Sequence, residues 1–159
     1  MKKLTTISIL CTLMLLAVNS GYTRELSEKQ RIKIEKELET VFREALENGE
    51  NLDVDKITLS VDDKYKTGHI VNGAYYNSFD SLMLGFKSGI QNINRQEFNI
   101  EEKKITVLAK NIAIISAAGK AKIYLNSGES FNVGFAWTFV YKNTDSGWKV
   151  IHSHRSSPR

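Results

Sequence analysis

Three side chains that can bind protons, metals or anions lie together near the C-terminus: His152, His154 and Arg155. Alternate residues of a β-strand share a face, so Arg155 is on the same side as Ser153, and the two histidines are on the other. Two histidines at i and i+2 could ligate zinc, but no carboxylate or third histidine lies at a supporting spacing. We therefore predict no metal site, and an interface or structural role for the histidines unless a bulge reverses the parity.

Acid/base catalysis would require a carboxylate in an apolar pocket, opposite a donor that stabilises an enolate oxygen. The candidate carboxylates are Asp62, Asp63 and Asp80, and their polar, turn-like or cap-like surroundings explain them by solvation or capping. No Ser-His-Asp order, glycine-rich phosphate loop or paired-carboxylate spacing is recognisable. The sequence thus indicates no evident catalytic set and no cofactor.

Aromatic side chains are the other candidates for ligand contacts. Tyr65, Tyr75 and Tyr76 lie in an irregular region, and each could supply a hydroxyl group to a ligand. The sequence does not choose among them. Trp137 and Phe139 are typical of core packing, although a residue in a cavity wall can serve both purposes.

The N-terminus has the layout of a secretory signal peptide. Two lysines precede an apolar stretch over 7–18, which is shorter than the roughly 20 residues of a membrane span. Val18 and Ser20 are small enough for the cleavage subsites. We therefore predict a signal peptide over 1–20 and an exported protein, periplasmic or secreted, with no stable membrane association after cleavage. A retained signal anchor is the alternative.

Removal of this peptide would change the chemistry available to the mature chain. It removes the only cysteine, Cys11, and with it any disulfide, zinc-thiolate site or cysteine nucleophile. It also removes two lysines, which lowers the formal net charge from +4 to +2. So small a charge argues against nucleic acid as a partner. The length of 159 residues, with 42% hydrophobic and 25% charged residues, is typical of one globular domain.

A long helix is predicted first. Ser27 and Gln30 match a capping box, in which the serine hydroxyl accepts a helix N–H and the glutamine side chain reaches back. Apolar residues at helical spacing extend this helix over 27–48, and Asn48-Gly49 supplies a left-handed stop.

The segment after this helix combines the patterns of a strand, a turn and a second helix. Alternation over 57–61 predicts a short strand, and Gly68 and Gly73 bracket a predicted turn or hairpin. Asn77 or Ser78 can cap a second helix, whose apolar residues recur at offsets of three and four and indicate core packing.

From about residue 95 the apolar period changes from 3.6 to 2, which predicts a run of strands. The candidate strands are 96–100, 103–109, 112–125, 130–142 and 147–156, with turns at 101–102, 126–128 and 144–147.

The strand over 130–142 has two contrasting faces. Bulky side chains share one face, and small or polar ones share the other: Phe131, Phe135, Trp137, Phe139 and Tyr141 against Asn132, Gly134, Ala136 and Thr138. The bulky face should pack against the helices. The flat outer face can lie close to a second sheet, which predicts a homodimer.

Helices followed by long antiparallel strands predict an α+β fold, with N-terminal helices packed into a strongly curved, mostly antiparallel sheet. Two helices cannot fill the whole concavity of such a sheet. We therefore expect a cavity at one end, where a small molecule could bind.

This order of elements resembles the cone-shaped fold of nuclear transport factor 2 (NTF2), ketosteroid isomerase and SnoaL-like proteins, and the resemblance spans 25–157. The tail, WKVIHSHRSSP at 148–158, is more specific. It is similar to the closing strand of the calcium/calmodulin-dependent kinase II association domain and its bacterial relatives, which reads W-x-x-V-H-x-H-R-S with a proline soon after.

The resemblance implies a cavity that binds small carboxylates through cationic side chains on neighbouring strands. Arg155 falls on one family arginine, and Lys120 falls near a second. Phe139 occupies the family's third cationic position. The change from arginine to phenylalanine removes a bidentate donor and favours a more apolar ligand. In the kinase, the association domain assembles into large rings, but nothing in this chain requires more than a dimer.

Three functional hypotheses follow. The leading one is an exported homodimer that binds a small organic ligand, carboxylate-bearing or more apolar, without evident catalysis; its predicted ligand-binding residues are Arg155, Lys120, Trp137, Phe139, Tyr65 and Tyr76. The second is a small isomerase, lyase or hydrolase that uses the same cavity. The third is an interaction module whose cavity is filled by side chains.

Overall fold

The computed structural model describes residues 25–157, so the predicted signal peptide over 1–20 lies outside the described residues. The helices are α1 (Glu28–Glu50), α2 (Val54–Leu59) and α3 (Phe79–Gly89), and the strands are β1 (His69–Val71), β2 (Ala74–Tyr76), β3 (Ile93–Ala109), β4 (Ile112–Leu125), β5 (Ser130–Thr144) and β6 (Gly147–Ser156). One sheet has the order β2-β1-β6-β5-β4-β3, and every pair is antiparallel except β1 with β6. The predicted α+β architecture is confirmed.

Helix α1 starts as predicted but ends later. Ser27 and Gln30 form the capping box, and Leu38 and Phe42 are buried against the sheet. The predicted stop at Asn48-Gly49 is wrong, because Gly49 is helical and buried and the helix continues to Glu50. The glycine allows a close approach, since a Cβ atom at Gly49 would lie 3.0 Å from the Phe98 ring.

The predicted strand over 57–61 is also wrong. The Asp53 side chain accepts a hydrogen bond from the Lys56 amide and starts helix α2, whose Leu59 is exposed. Of that segment, only Val61 makes a β-bridge, to Val150. Capping chemistry therefore outweighs the short apolar alternation.

Two further predictions in this region are confirmed. The turn between Gly68 and Gly73 is the β1–β2 hairpin, and both glycines have positive φ. Helix α3 begins after Ser78, whose hydroxyl accepts a hydrogen bond from the Ser81 amide.

The predicted turn at 101–102 is wrong, because 93–109 form one strand with a bulge between Ile100 and Glu102. Gly119 of β4 pairs with Ile100 at this bulge, and a Cβ atom at Gly119 would lie 2.0 Å from the Asn99 carbonyl oxygen. Bulges of this kind increase the local bend and twist of a sheet. The polar residues at 101–102 therefore have the sequence pattern of a turn, although they belong to a bent strand.

The two faces of β5 are arranged as predicted. Phe135 and Tyr141 are buried on the concave face, and Phe139 packs against Phe42 of α1 with ring centroids 6.3 Å apart. Phe131 is the exception, since it lies near the start of the strand and is half exposed. The opposite face carries the small side chains of Ala136 and Thr138.

A buried polar chain joins the hairpin to the last strand. Ser153 of β6 is the register partner of His69 in β1, and His69 Nδ1 lies 3.0 Å from Ser153 Oγ. His69 Nε2 lies 3.1 Å from Asp63 Oδ1, and Asp63 also accepts a hydrogen bond from the Phe79 amide at the start of α3. His69 and Ser153 are fully buried. This Asp63–His69–Ser153 chain, called the relay below, ties three elements together.

Gly119→Ala should destabilise the protein by about 1–3 kcal/mol, because the added methyl group would overlap a backbone carbonyl that cannot rotate away. Urea unfolding monitored by circular dichroism measures the change. Gly89→Ala is the matched control, since open space surrounds Gly89 and its φ is ordinary; it should be neutral or stabilise by about 0.4–1 kcal/mol. Equal effects of the two variants would contradict a close approach at the bulge.

The relay also predicts a pH dependence of stability. Burial, opposed in part by Asp63, lowers the pKa of His69 below its ordinary value of 6.5. The unfolded chain therefore binds a proton more readily than the folded chain, so the free energy of unfolding should fall as the pH drops below 6.5. His69→Gln should remove this contribution in urea titrations at pH 7.5, 6.0 and 5.0. His154→Gln, at an exposed histidine, should keep the dependence of the parent protein.

Candidate functional site

A cavity of about 310 Å³ lies between the helices and the concave face of the sheet. Helix α1 contributes Phe42 and Leu46, and α3 contributes Phe79 and Met83. The sheet side is formed by β3, β4, β5 and β6. The predicted opening in the curved sheet is therefore present, and most of its wall is apolar.

Aromatic rings form the wall on β3 and β5. Phe135 and Trp137 are stacked, with ring centroids 3.9 Å apart and an interplanar angle of 16°. Phe98 meets Trp137 edge-on at 5.1 Å, and Phe139 meets it at 6.1 Å. The two predicted aromatic residues, Trp137 and Phe139, both line the cavity. Such a wall suits an apolar or aromatic ligand body.

Arg155 is the one charged residue in this wall. Its Nε is buried without a hydrogen-bond partner, and no carboxylate in residues 25–157 forms an ion pair with its guanidinium. Burial lowers the pKa of Arg155 to about 10, so the side chain remains cationic at neutral pH. The parity expected from the sequence holds here, because Ser153 and Arg155 line the cavity together.

The other three predicted site residues do not reach the cavity. Lys120 lies on the outer face, since Ala121 and Ile123 take the inward positions of β4, and it pairs with Glu101 at 2.9 Å. Tyr65 is exposed in a 3-10 turn, and Tyr76 packs against the buried cluster of α3.

Ser153 is a polar group of the site that was not predicted from the sequence. Its partner His69 is 84 positions away, and only the parallel pairing of β1 with β6 brings them together. The alternation of the strand could have indicated it, because Ser153 shares a strand face with Arg155 and should face the same cavity. The other two histidines lie elsewhere: His152 Nδ1 is 2.8 Å from the Gly68 carbonyl oxygen, and His154 is exposed on the outer face.

The residues described by the structure include no group of three or more His, Cys, Asp or Glu side chains that could hold a metal ion. Among the helices of 25–157, none is long and apolar enough to cross a membrane.

Several solved protein structures have the same fold as this chain. An NTF2-like superfamily protein from Salmonella enterica superposes with a TM-score of 0.71 at 13% identity, covering 81% of this chain and 94% of the other. A candidate calcium/calmodulin-dependent protein kinase II association domain from Xanthomonas campestris gives 0.66 at 15% identity, covering 77% and 86%. A candidate scytalone dehydratase from Novosphingobium aromaticivorans gives 0.71 at 7% identity, covering 84% and 89%. At these identities the comparisons establish the fold alone.

A search of curated protein sequences finds no match to this chain. The family model described as the calcium/calmodulin-dependent protein kinase II association domain, however, matches residues 32–158. That span includes most of α1, all of α3, the whole sheet and the tail at 148–158 that carries the resemblance. The chain therefore belongs to the calcium/calmodulin-dependent protein kinase II association domain family and has the NTF2-like cone fold.

Proposed function

We propose that this protein binds a small organic carboxylate, with the carboxylate on Arg155 and an apolar or aromatic body against Trp137 and Phe135. The observation that carries the proposal is a half-buried cation in an otherwise uncharged cavity wall. Its buried Nε has no hydrogen-bond partner, and its guanidinium has no ion-pair partner in the described chain. A buried charge is costly unless it is paired and hydrogen-bonded. A bound carboxylate would supply both the charge and the acceptors.

The composition of the wall limits the kind of carboxylate. Phe139 stands where the family resemblance implies an arginine, and Lys120 is on the outer face, so Arg155 is left as a single cation. One guanidinium matches one carboxylate. The volume of about 310 Å³ is at the lower end of the range for small-molecule sites, about 300–1,000 Å³. These features favour a monocarboxylate with a single aromatic ring.

The test uses 4-phenylbutanoate and its neutral amide, 4-phenylbutanamide, in isothermal titration calorimetry. The carboxylate should bind the parent protein, and the amide should bind at least about tenfold more weakly, because it lacks the charge that Arg155 needs. Arg155→Gln should weaken carboxylate binding by a similar factor.

Lys120→Gln is the matched control for this experiment, because it also removes a cation but on the outer face. It should leave the affinity for 4-phenylbutanoate unchanged. Equal affinity of the parent protein and Arg155→Gln would rule out Arg155 as the carboxylate anchor.

We also propose a homodimer through the outer face of the sheet. The residues that face outward from β4 and β5 include Ser116, Ala118, Ala136 and Thr138, whose small side chains allow a second sheet to approach. Membership of a family named for association is compatible with this arrangement.

In sedimentation equilibrium at micromolar concentration, the protein should show twice the mass of one chain. Ala136→Arg should shift it to the monomer, because the long cation would separate the two sheets. Ser127→Arg places the same side chain in the exposed β4–β5 turn and should remain dimeric. A monomeric parent protein would exclude the proposed interface.

A further inference from the structure

Ser153 is a polar group of the cavity wall beside Arg155, and the relay fixes how it is hydrogen-bonded. It shares the wall with Arg155, two residues along β6. Residues two apart on a strand point to the same side, with Cα atoms separated by about 6.5 Å. A ligand group next to a carboxylate bound by Arg155 therefore lies close to Ser153.

The direction of each hydrogen bond in the relay follows from its ends. Asp63 accepts the Phe79 amide on one oxygen and meets His69 Nε2 with the other. A carboxylate only accepts, so Nε2 must carry a hydrogen. Burial lowers the pKa of His69 and keeps the ring neutral, which leaves a lone pair on Nδ1. Nδ1 therefore accepts the hydrogen of the Ser153 hydroxyl, 3.0 Å away.

This arrangement consumes the only hydrogen that Ser153 Oγ can donate. Its oxygen keeps lone pairs, and no donor side chain in residues 25–157 is hydrogen-bonded to them. Ser153 is 1% exposed, so only a small part of its surface faces the cavity, and a ligand donor must reach Oγ through that part. A ligand that supplies a donor there gains a hydrogen bond, whereas an acceptor placed there meets a like lone pair.

We propose that Ser153 Oγ is an acceptor subsite beside Arg155, which makes the cavity selective for 2-hydroxy carboxylic acids over the corresponding unsubstituted and 2-oxo acids. The inference rests on the proposed function, since Arg155 must first hold the carboxylate. A 2-amino acid would also carry a donor, but its ammonium group would lie next to the guanidinium in a wall without carboxylates. Like charges in such surroundings repel strongly, so the hydroxyl is preferred.

Three probes that differ at one carbon test the subsite: 4-phenylbutanoate, 2-hydroxy-4-phenylbutanoate as separate enantiomers, and 2-oxo-4-phenylbutanoate. In isothermal titration calorimetry, one enantiomer of the hydroxy acid should bind the parent protein about fivefold tighter than 4-phenylbutanoate. The 2-oxo acid, which offers only an acceptor, should bind no tighter than 4-phenylbutanoate.

Two serine variants separate a binding role from a structural one. Ser153→Ala should remove the advantage of the hydroxy acid, so that its affinity relative to 4-phenylbutanoate, measured on the same variant, falls to about one. Ser60→Ala alters another serine of the cavity wall, whose hydroxyl donates to the Ile57 carbonyl, and it should keep the full preference. The comparison of hydroxy and oxo acids on the parent protein decides the matter even if Ser153→Ala does not fold.

The outcomes distinguish the two proposals. If 4-phenylbutanoate binds in an Arg155-dependent way but neither hydroxy enantiomer gains affinity, the acceptor subsite is overturned and the carboxylate site stands. A 2-oxo acid that binds as tightly as the hydroxy acid would overturn the assigned hydrogen-bond direction, and with it the subsite. If none of the three probes binds, both proposals fail.

Discussion

The cavity depends on the curvature of the sheet, and one source of that curvature is the β3 bulge, where two strands approach closely. At the β3 bulge, the backbone of Asn99 occupies the space in which any side chain at position 119 would lie. The bulge lets two long strands remain paired while they bend around α1. A flatter sheet would press its aromatic face onto the helices along its whole length, and the space beside Arg155 would close.

Within that frame, the strand alternation decides what the cavity presents. The inward positions of β4 and β5 carry apolar and aromatic side chains, whereas the inward end of β6 carries Ser153 and Arg155. Ser153 and the only cation of the wall thus lie together at one end, whereas the side chains of Ser60 and Gln96 elsewhere in the wall donate to backbone carbonyls. A ligand would be oriented by this asymmetry, with its charged end toward β6 and its body toward Trp137. Arg155 is the cation of the cavity wall, and no carboxylate in the described part of the chain serves as its counter-ion.

Much of the fold could be predicted from the sequence, because strong periodicity and capping residues determine it locally. The capping box at Ser27, the glycines of the hairpin and the two faces of β5 each act over a few residues. The errors arose where tertiary packing outweighs local signals. Gly49 has the appearance of a helix stop but serves the contact with Phe98, and the polar residues around the bulge imitate a turn.

The site divides along the same lines. The inward orientation of Arg155 and Trp137 could be predicted from the alternation of side chains along a single strand. Lys120 was misplaced because its position relied on the family resemblance, whereas the alternation of β4 turns it outward. The relay could not be foreseen, since its members come from three segments that only the β1–β6 pairing unites.

The pairing of His69 with Ser153 also has a kinetic consequence. Contacts between residues so distant along the chain carry a large loop-closure cost and belong to the slower steps of folding. In the sheet order the hairpin joins the other strands only through β6, the last strand of the chain. The end of the cavity wall formed by β1 and β6 therefore depends on segments from opposite halves of the sequence.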